Sequence, residues 1–217
     1  MFYKRPYMAN TLYLFTMKNI AACEYPTAVT AIFMALFLLL TGCTEKKLEF
    51  KGVDITGADY AQNFKLQDQF GKTRTMADFK GKAVVVFFGF TQCPDVCPTS
   101  MAELAEVKKL LGKDGDKLQG IFVSLDPERD TAPVLKAYME NFDPTFIALR
   151  GSLDQTAEIA KHFKIFYKKV EGRTAGSYTL DHSAGSYVFD TQGQIRLYTR
   201  YGSGAKALAD DVVLLLK

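Results

Sequence analysis

The sequence predicts an α/β fold built around a central mixed sheet, and three observations predict it. Residues 83–90 read AVVVFFGF, a continuous apolar run of strand length that marks a strand covered on both faces. Leu118 to Leu125 forms a second apolar strand. Between them, Thr99 to Leu111 places Met101, Leu104, Val107, Leu110 and Leu111 at helical spacing. A helix joining two buried strands is the unit from which parallel sheets are assembled.

The remaining elements follow in order. Asn63 to Met76 reads as an N-terminal hairpin, with Phe64, Leu66 and Phe70 around a turn near Gly71. Thr131 to Phe142 is a helix with Val134, Leu135, Tyr138 and Met139 facing inward, and Phe146 to Leu149 a short strand. Asp154 to Phe163 is a helix with Asp154 near its cap. Ile165 to Val170 reads as an edge strand. Ser186 to Asp190 and Gln194 to Tyr201 form a hairpin across Gln192-Gly193, and Ala205 to Leu216 closes the chain as a helix. This order fits a thioredoxin-like fold with insertions.

Composition is that of an ordinary globular chain: 217 residues, 48% hydrophobic and 24% charged, with a net charge of +3. The first 42 residues hold Lys4, Arg5 and Lys18 against Glu24, so the remainder is close to neutral. Lysines cluster between Lys108 and Lys117, but Glu106, Asp114 and Asp116 interleave with them, so a solvated helix end explains them and no nucleic-acid footprint is expected. Residues 28–42, AVTAIFMALFLLLTG, carry no charge and fall short of the roughly 20 apolar residues of a spanning helix. They read as the apolar region of a signal peptide covering residues 1–42, with Lys18 before it and a natural start at Met17. The run ends Leu40-Thr41-Gly42-Cys43, which resembles a bacterial lipobox; that resemblance implies cleavage before Cys43 and lipidation of its sulfur. An uncleaved anchor is the other reading. Either way the domain is expected outside the cytoplasm, tethered to a bacterial membrane on its periplasmic side. Residues 43–57 then serve as lipid site and linker, and the domain proper runs from 58 to 217.

Four cysteines are present, and with Cys23 in the leader and Cys43 at the anchor only Cys93 and Cys97 remain in the domain. In an exported protein such a pair is a structural disulfide, a redox couple or a metal site. They lie in Gly89-Phe90-Thr91-Gln92-Cys93-Pro94-Asp95-Val96-Cys97-Pro98-Thr99, just past a buried strand, where open α/β sheets gather their chemistry. Pro98 suits the first turn of a helix, which puts Cys97 near the N-cap, where the positive helix end favours thiolate. Residues four apart on a helix hold their Cβ atoms about 5–6 Å apart, whereas a disulfide wants about 3.5–4.5 Å. Two thiolates converging on one soft ion need less distortion, and thiolates select copper(I), zinc or iron–sulfur centres. A third ligand is then sought among two histidines. His162 reads as an exposed helix residue. His182 lies in the loop Tyr178-Thr179-Leu180-Asp181-His182-Ser183-Ala184-Gly185, before a strand, with Asp181 beside it as a candidate to orient the ring. In a thioredoxin-like fold that loop faces the cysteines and holds a cis-proline; this chain has no proline after Pro144.

Three segments together carry a family resemblance: CPDVCP at 93–98, VSLDPERDT at 123–131 and DHSAGSYVFD at 181–190. They are similar to the Sco (SenC) family over about Asp59 to Gly202, with one small departure where Ala132-Pro133 follows Thr131. The resemblance implies a thioredoxin-fold protein that binds one copper ion, Cu(I) or Cu(II), through Cys93, Cys97 and His182. It also implies delivery of copper to, or thiol reduction at, the dinuclear copper centre in subunit II of cytochrome c oxidase, with another copper enzyme as an alternative acceptor. Asp126, Glu128, Arg129 and Asp130 are expected to cap the following helix and pair with one another.

Three rivals use the same cysteines. A thiol–disulfide oxidoreductase keeps the fold and the pair but has no need of His182. A peroxidase wants Thr or Ser three residues before its reactive Cys, where Cys97 has Pro94 and Cys93 has Phe90. Structural zinc is normally closed by four ligands, and three are found.

Overall fold

The computed structural model describes residues 48–217, which cluster as one compact unit. The leader, Cys23 and the expected lipid site Cys43 lie outside the described residues. Strands β1 (Val53–Asp54), β2 (Leu66–Asp68), β3 (Thr73–Arg74), β4 (Ala83–Gly89), β5 (Leu118–Ser124), β6 (Ile147–Arg150), β9 (Ser186–Phe189) and β10 (Ile195–Thr199) make one sheet in the order β1-β10-β9-β4-β5-β6-β2-β3. β4, β5 and β6 run parallel and every other pairing in the sheet is antiparallel. The mixed α/β sheet expected from the sequence is therefore observed. Every residue of β4 and β5 is buried, as their unbroken runs require.

The helices are α1 (Val96–Leu110), α2 (Ala132–Glu140), α3 (Leu153–His162) and α4 (Ala205–Leu215), with α1 packed on α4. The core is aromatic: Phe87, Phe88, Phe122, Phe163 and Phe189 are all nearly or fully buried. Helix α1 starts three residues before the Thr99 expected. Asp95 is its N-cap, and Pro98 sits in a first turn that needs no amide donor from it. Ser152, not Asp154, caps α3, accepting the Gln155 amide while Gln155 Oε1 accepts the Ser152 amide.

Two expectations are corrected. The described part of the stretch read as linker, residues 48–57, belongs to the domain: Val53 and Asp54 pair with Tyr198 and Leu197. The Lys51 and Gly52 amides donate to the buried Asp211 carboxylate at 2.7 and 2.8 Å. A two-residue exposed strand has no periodicity to read, and the carboxylate that anchors the chain just before it lies 160 residues from Lys51. The segment Ile165 to Val170, read as an edge strand, is β7 (Tyr167–Glu171), and it does not join the central sheet. It pairs antiparallel with β8 (Tyr178–His182), a strand read as loop, to form a separate two-stranded sheet. In β8 only Leu180 is buried, so the segment lacks the apolar content that marks a strand.

Candidate metal centre

The cysteine loop leaves β4 at Gly89, turns through the Cys93 amide donating to the Phe90 carbonyl (3.2 Å), and enters α1. Gly89 is required by close approach: a Cβ there would stand 2.8 Å from Cys97 Sγ and 2.9 Å from the Phe87 ring. Cys97 is the second residue of α1 and fully buried, whereas Cys93 is half-buried on the rim. Both thiols are free.

The expected activation of Cys97 by the helix end is corrected. Burial comes first among the influences on Cys97; together with its hydrogen bond to Cys93 it pushes the thiol well above the usual cysteine range, outweighing the Phe90 backbone contact. The backbone amide of Cys97 instead donates to Cys93 Sγ at 3.4 Å, so the free donor of the first turn serves the outer sulfur.

His182 ends β8 with Nε2 3.4 Å from Cys97 Sγ. Its Nδ1 lies 2.8 Å from the Ser183 carbonyl, which can only accept, so Nδ1 carries the proton and Nε2 presents its lone pair to the sulfurs. The ring stands edge-on to Phe87 and Phe90, with centroids 6.1 and 5.8 Å away. Burial lowers its pKa, against the opposing influences of the Ser183 carbonyl and the Asp181 charge, which favours the neutral, ligating form. Asp181, the expected orienting group, is exposed and sits opposite Lys168 in the hairpin; Ser183 holds the ring and Asp181 acts on it through charge alone. Adjacent strand residues point to opposite faces, so Asp181 faces away as His182 faces in.

The three predicted ligands therefore converge. Cys93 Sγ, Cys97 Sγ and a His182 ring nitrogen all lie within 4.8 Å of one another, and they are the sole such group of three among the described residues. Metal bonds of roughly 2.0–2.3 Å set ligand atoms about 4 Å apart, so the donors fit one cation with little movement. Two sulfurs and one imidazole suit a soft ion. His162 is elsewhere, its Nε2 accepting the Gln62 amide at 3.1 Å.

The acidic segment does not cap α2 as expected: Thr131 is the N-cap and no acidic residue lies in the first turn. Asp126 and Arg129 pair as expected. Asp130, fully buried, accepts the Thr91 hydroxyl (2.6 Å), the Thr91 amide (3.2 Å) and the Ser124 hydroxyl (2.6 Å), bolting the cysteine loop to β5. Burial raises its carboxyl pKa against those hydrogen bonds. A carboxylate immediately before a helix reads as a cap, which hid this role.

Fold and site together define a copper-type thiolate–imidazole centre on a thioredoxin-like scaffold. The chain belongs to the SCO1/SenC family, whose family model matches residues 53–217. It is 35% identical over 179 residues to a SCO2-like protein of Rickettsia felis, covering 81% of this chain and 87% of that one. It is similar to the copper-bound ScoI of Bradyrhizobium japonicum, with 40% identity, a TM-score of 0.65, and coverage of 70% of this chain and 97% of that one. A SCO1/SenC family lipoprotein from Bacillus anthracis is 25% identical with a TM-score of 0.63, covering 73% of this chain and 98% of that one.

Proposed function

We propose that the protein is a membrane-tethered copper carrier. Cys93, Cys97 and His182 hold one copper ion as cargo, and the acceptor is the dinuclear copper centre in subunit II of cytochrome c oxidase; when the acceptor's cysteines are joined as a disulfide, the free Cys93/Cys97 dithiol can also reduce them by thiol–disulfide exchange, becoming a disulfide itself. The observation that carries this reading is the meeting of two sulfurs and one imidazole within 4.8 Å at the edge of an aromatic core. The copper bound to the Bradyrhizobium relative supports it. Three ligands leave room for an incoming donor, so the ion moves by stepwise ligand exchange. Cys93, on the rim, is the sulfur an acceptor thiolate reaches first, and buried Cys97 is the last to release. The tether is Cys43 at the end of its lipobox-like run, a reading supported by the lipoprotein relative.

The test is copper titration of the reduced full-length chain in detergent, beside His182→Ala and Cys93→Ala. One copper per chain is expected, with sulfur-to-Cu(II) charge-transfer absorption that both variants lose or nearly lose. If His182→Ala takes up Cu(II) as the parent does, the third ligand is refuted and a dithiol oxidoreductase becomes the better account.

A further inference from the structure

Resting on the copper reading above, we propose that Arg129 is a positioning residue for His182: its guanidinium latches the β7–β8 hairpin to the cysteine loop and thereby holds the imidazole over the thiols.

The hairpin needs such a latch. Neither β7 nor β8 forms a ladder with the central sheet. Leu180 is the sole buried residue of the two strands. Among the described residues, and beyond the hairpin's own turn and flanks, three hydrogen bonds tie these strands to the rest of the domain. One joins His182 to Cys97. The other two reach the Asp126–Arg129 segment: Arg129 Nη1 donates to the Tyr178 carbonyl at 2.9 Å, and the Tyr178 hydroxyl donates to Asp126 Oδ1 at 2.8 Å.

Arg129 joins both halves of the site. Its Nη1 also donates to Gln92 Oε1, 3.0 Å away, on the residue before Cys93. Its Nε pairs with the buried Asp126 carboxylate. Its Cζ stacks 3.6 Å from the centre of the Tyr178 ring and lies 5.8 Å from that of Phe90, the ring that stands edge-on to His182. Tyr178 and His182 are four residues apart on one strand and so share its inward face with Leu180. A group that fixes Tyr178 fixes the line along which His182 projects. The fork of a guanidinium can donate in two directions while its plane stacks on a ring; a lysine ammonium cannot do all three at once. This places the arginine at the one point where cysteine loop, acidic segment and hairpin meet.

Two readouts test the latch in the full-length reduced chain in detergent. In the metal-free protein, Arg129→Gln is expected to speed amide exchange in β7 and β8 at least about tenfold, leaving β4 and β5 unchanged. In copper titrations its Cu(II) affinity should fall about 10–100-fold, the usual scale for losing a group that orients a metal-binding histidine. Cu(I), satisfied by two thiolates, should change by less than about threefold. Arg129→Lys should recover only part of the Cu(II) affinity. The double variant Asp126→Asn/Arg129→Gln, which strands no buried charge, should repeat the pattern and serves if the single variant folds poorly. Equal losses for Cu(I) and Cu(II), exchange that quickens equally in β4 and β5, or a loosened hairpin with unchanged Cu(II) affinity would each overturn the positioning role. A parent chain that takes up no copper removes the copper reading, and the exchange comparison then decides the latch alone.

Discussion

Strand β4, paired with β5, leads into the cysteine loop and the hairpin β7–β8 ends at His182, yet the two supports are built in opposite ways. β4 and β5 pair in register over seven residues, with every side chain buried. The hairpin pairs over five residues, keeps one side chain buried and carries charge at Lys168, Lys169, Glu171 and Asp181. Cys97 is thus set by the most densely buried part of the molecule, and the imidazole by a hairpin with one buried side chain, the kind of element expected to open at lower cost. On the copper-carrier reading proposed above, this division lets the third ligand leave and return while buried Cys97 keeps its hold on the ion. The division also predicts that stability and Cu(II) affinity separate by region. Phe122→Ala, which empties a fully buried site between Phe87 and Tyr138, should cost about 3–5 kcal/mol in denaturant unfolding. Leu180→Ala should lower the unfolding free energy less, by about 2 kcal/mol, the low end for such a truncation, while lowering Cu(II) affinity more than Cu(I) affinity. If Leu180→Ala destabilises the whole fold as much as Phe122→Ala does, hairpin and sheet are one cooperative unit and the contrast fails.

The two regions also respond to pH differently, and this effect is next in size. Copper can bind Cys97 only after displacing its proton, and burial holds that thiol above its ordinary range. Apparent Cu(I) affinity should therefore rise at least about tenfold per pH unit between pH 6 and 8, since one displaced proton contributes one power of ten. His182 adds nothing to that slope above pH 6.5, because burial sets its folded pKa below that ordinary value. Its contribution to stability has the matching sign. It is fully present above pH 6.5 and is lost as pH falls from there toward the folded pKa, where the unfolded chain takes up the proton first. A competition titration against a chelator of known pH behaviour measures the slope; a flat profile would mean that copper does not need the buried thiolate.

What could be read from the sequence follows the same boundary. Residues 83–90 and 118–125 announce themselves because both faces of each strand are covered, which leaves an unbroken apolar run. The meeting of Cys93, Cys97 and His182 was legible because the residue types are rare in this chain and share one chemistry. The strand that delivers His182 was not legible. YTLDH buries a single residue, and its partner YKKVE is dominated by charge, so neither carries the apolar signal of a core strand. The burial of Cys97 was equally hidden: it depends on Gly89 and Phe87, which pack against it from another element, and not on its place in the first turn of a helix. Arg129 reads locally as a helix-start partner of Asp126; that it reaches Gln92 and Tyr178, 37 and 49 residues away, is a property of the fold.

The smallest expected effect sets the floor against which the hairpin must be judged. Lys206 and Asp210 on α4 form an ion pair at 2.9 Å, one helical turn apart, with side chains 81% and 49% exposed. Water screens such a pair and ordering two long side chains costs entropy, so Lys206→Ala should change stability by no more than about 0.5 kcal/mol. The order of the charges weakens it further, because a cation nearer the helix N-terminus than its anion opposes the helix dipole. Asp211, the next residue, differs only in facing inward, where it accepts the Lys51 and Gly52 amides that anchor the first strand. Charge alone therefore does not set a residue's weight here; burial and unsatisfied partners do. A loss for Lys206→Ala as large as that for Leu180→Ala, about 2 kcal/mol in the same denaturant unfolding, would show that surface pairs count for as much as the hairpin's buried contact, and the ordering of sheet, hairpin and surface would have to be abandoned.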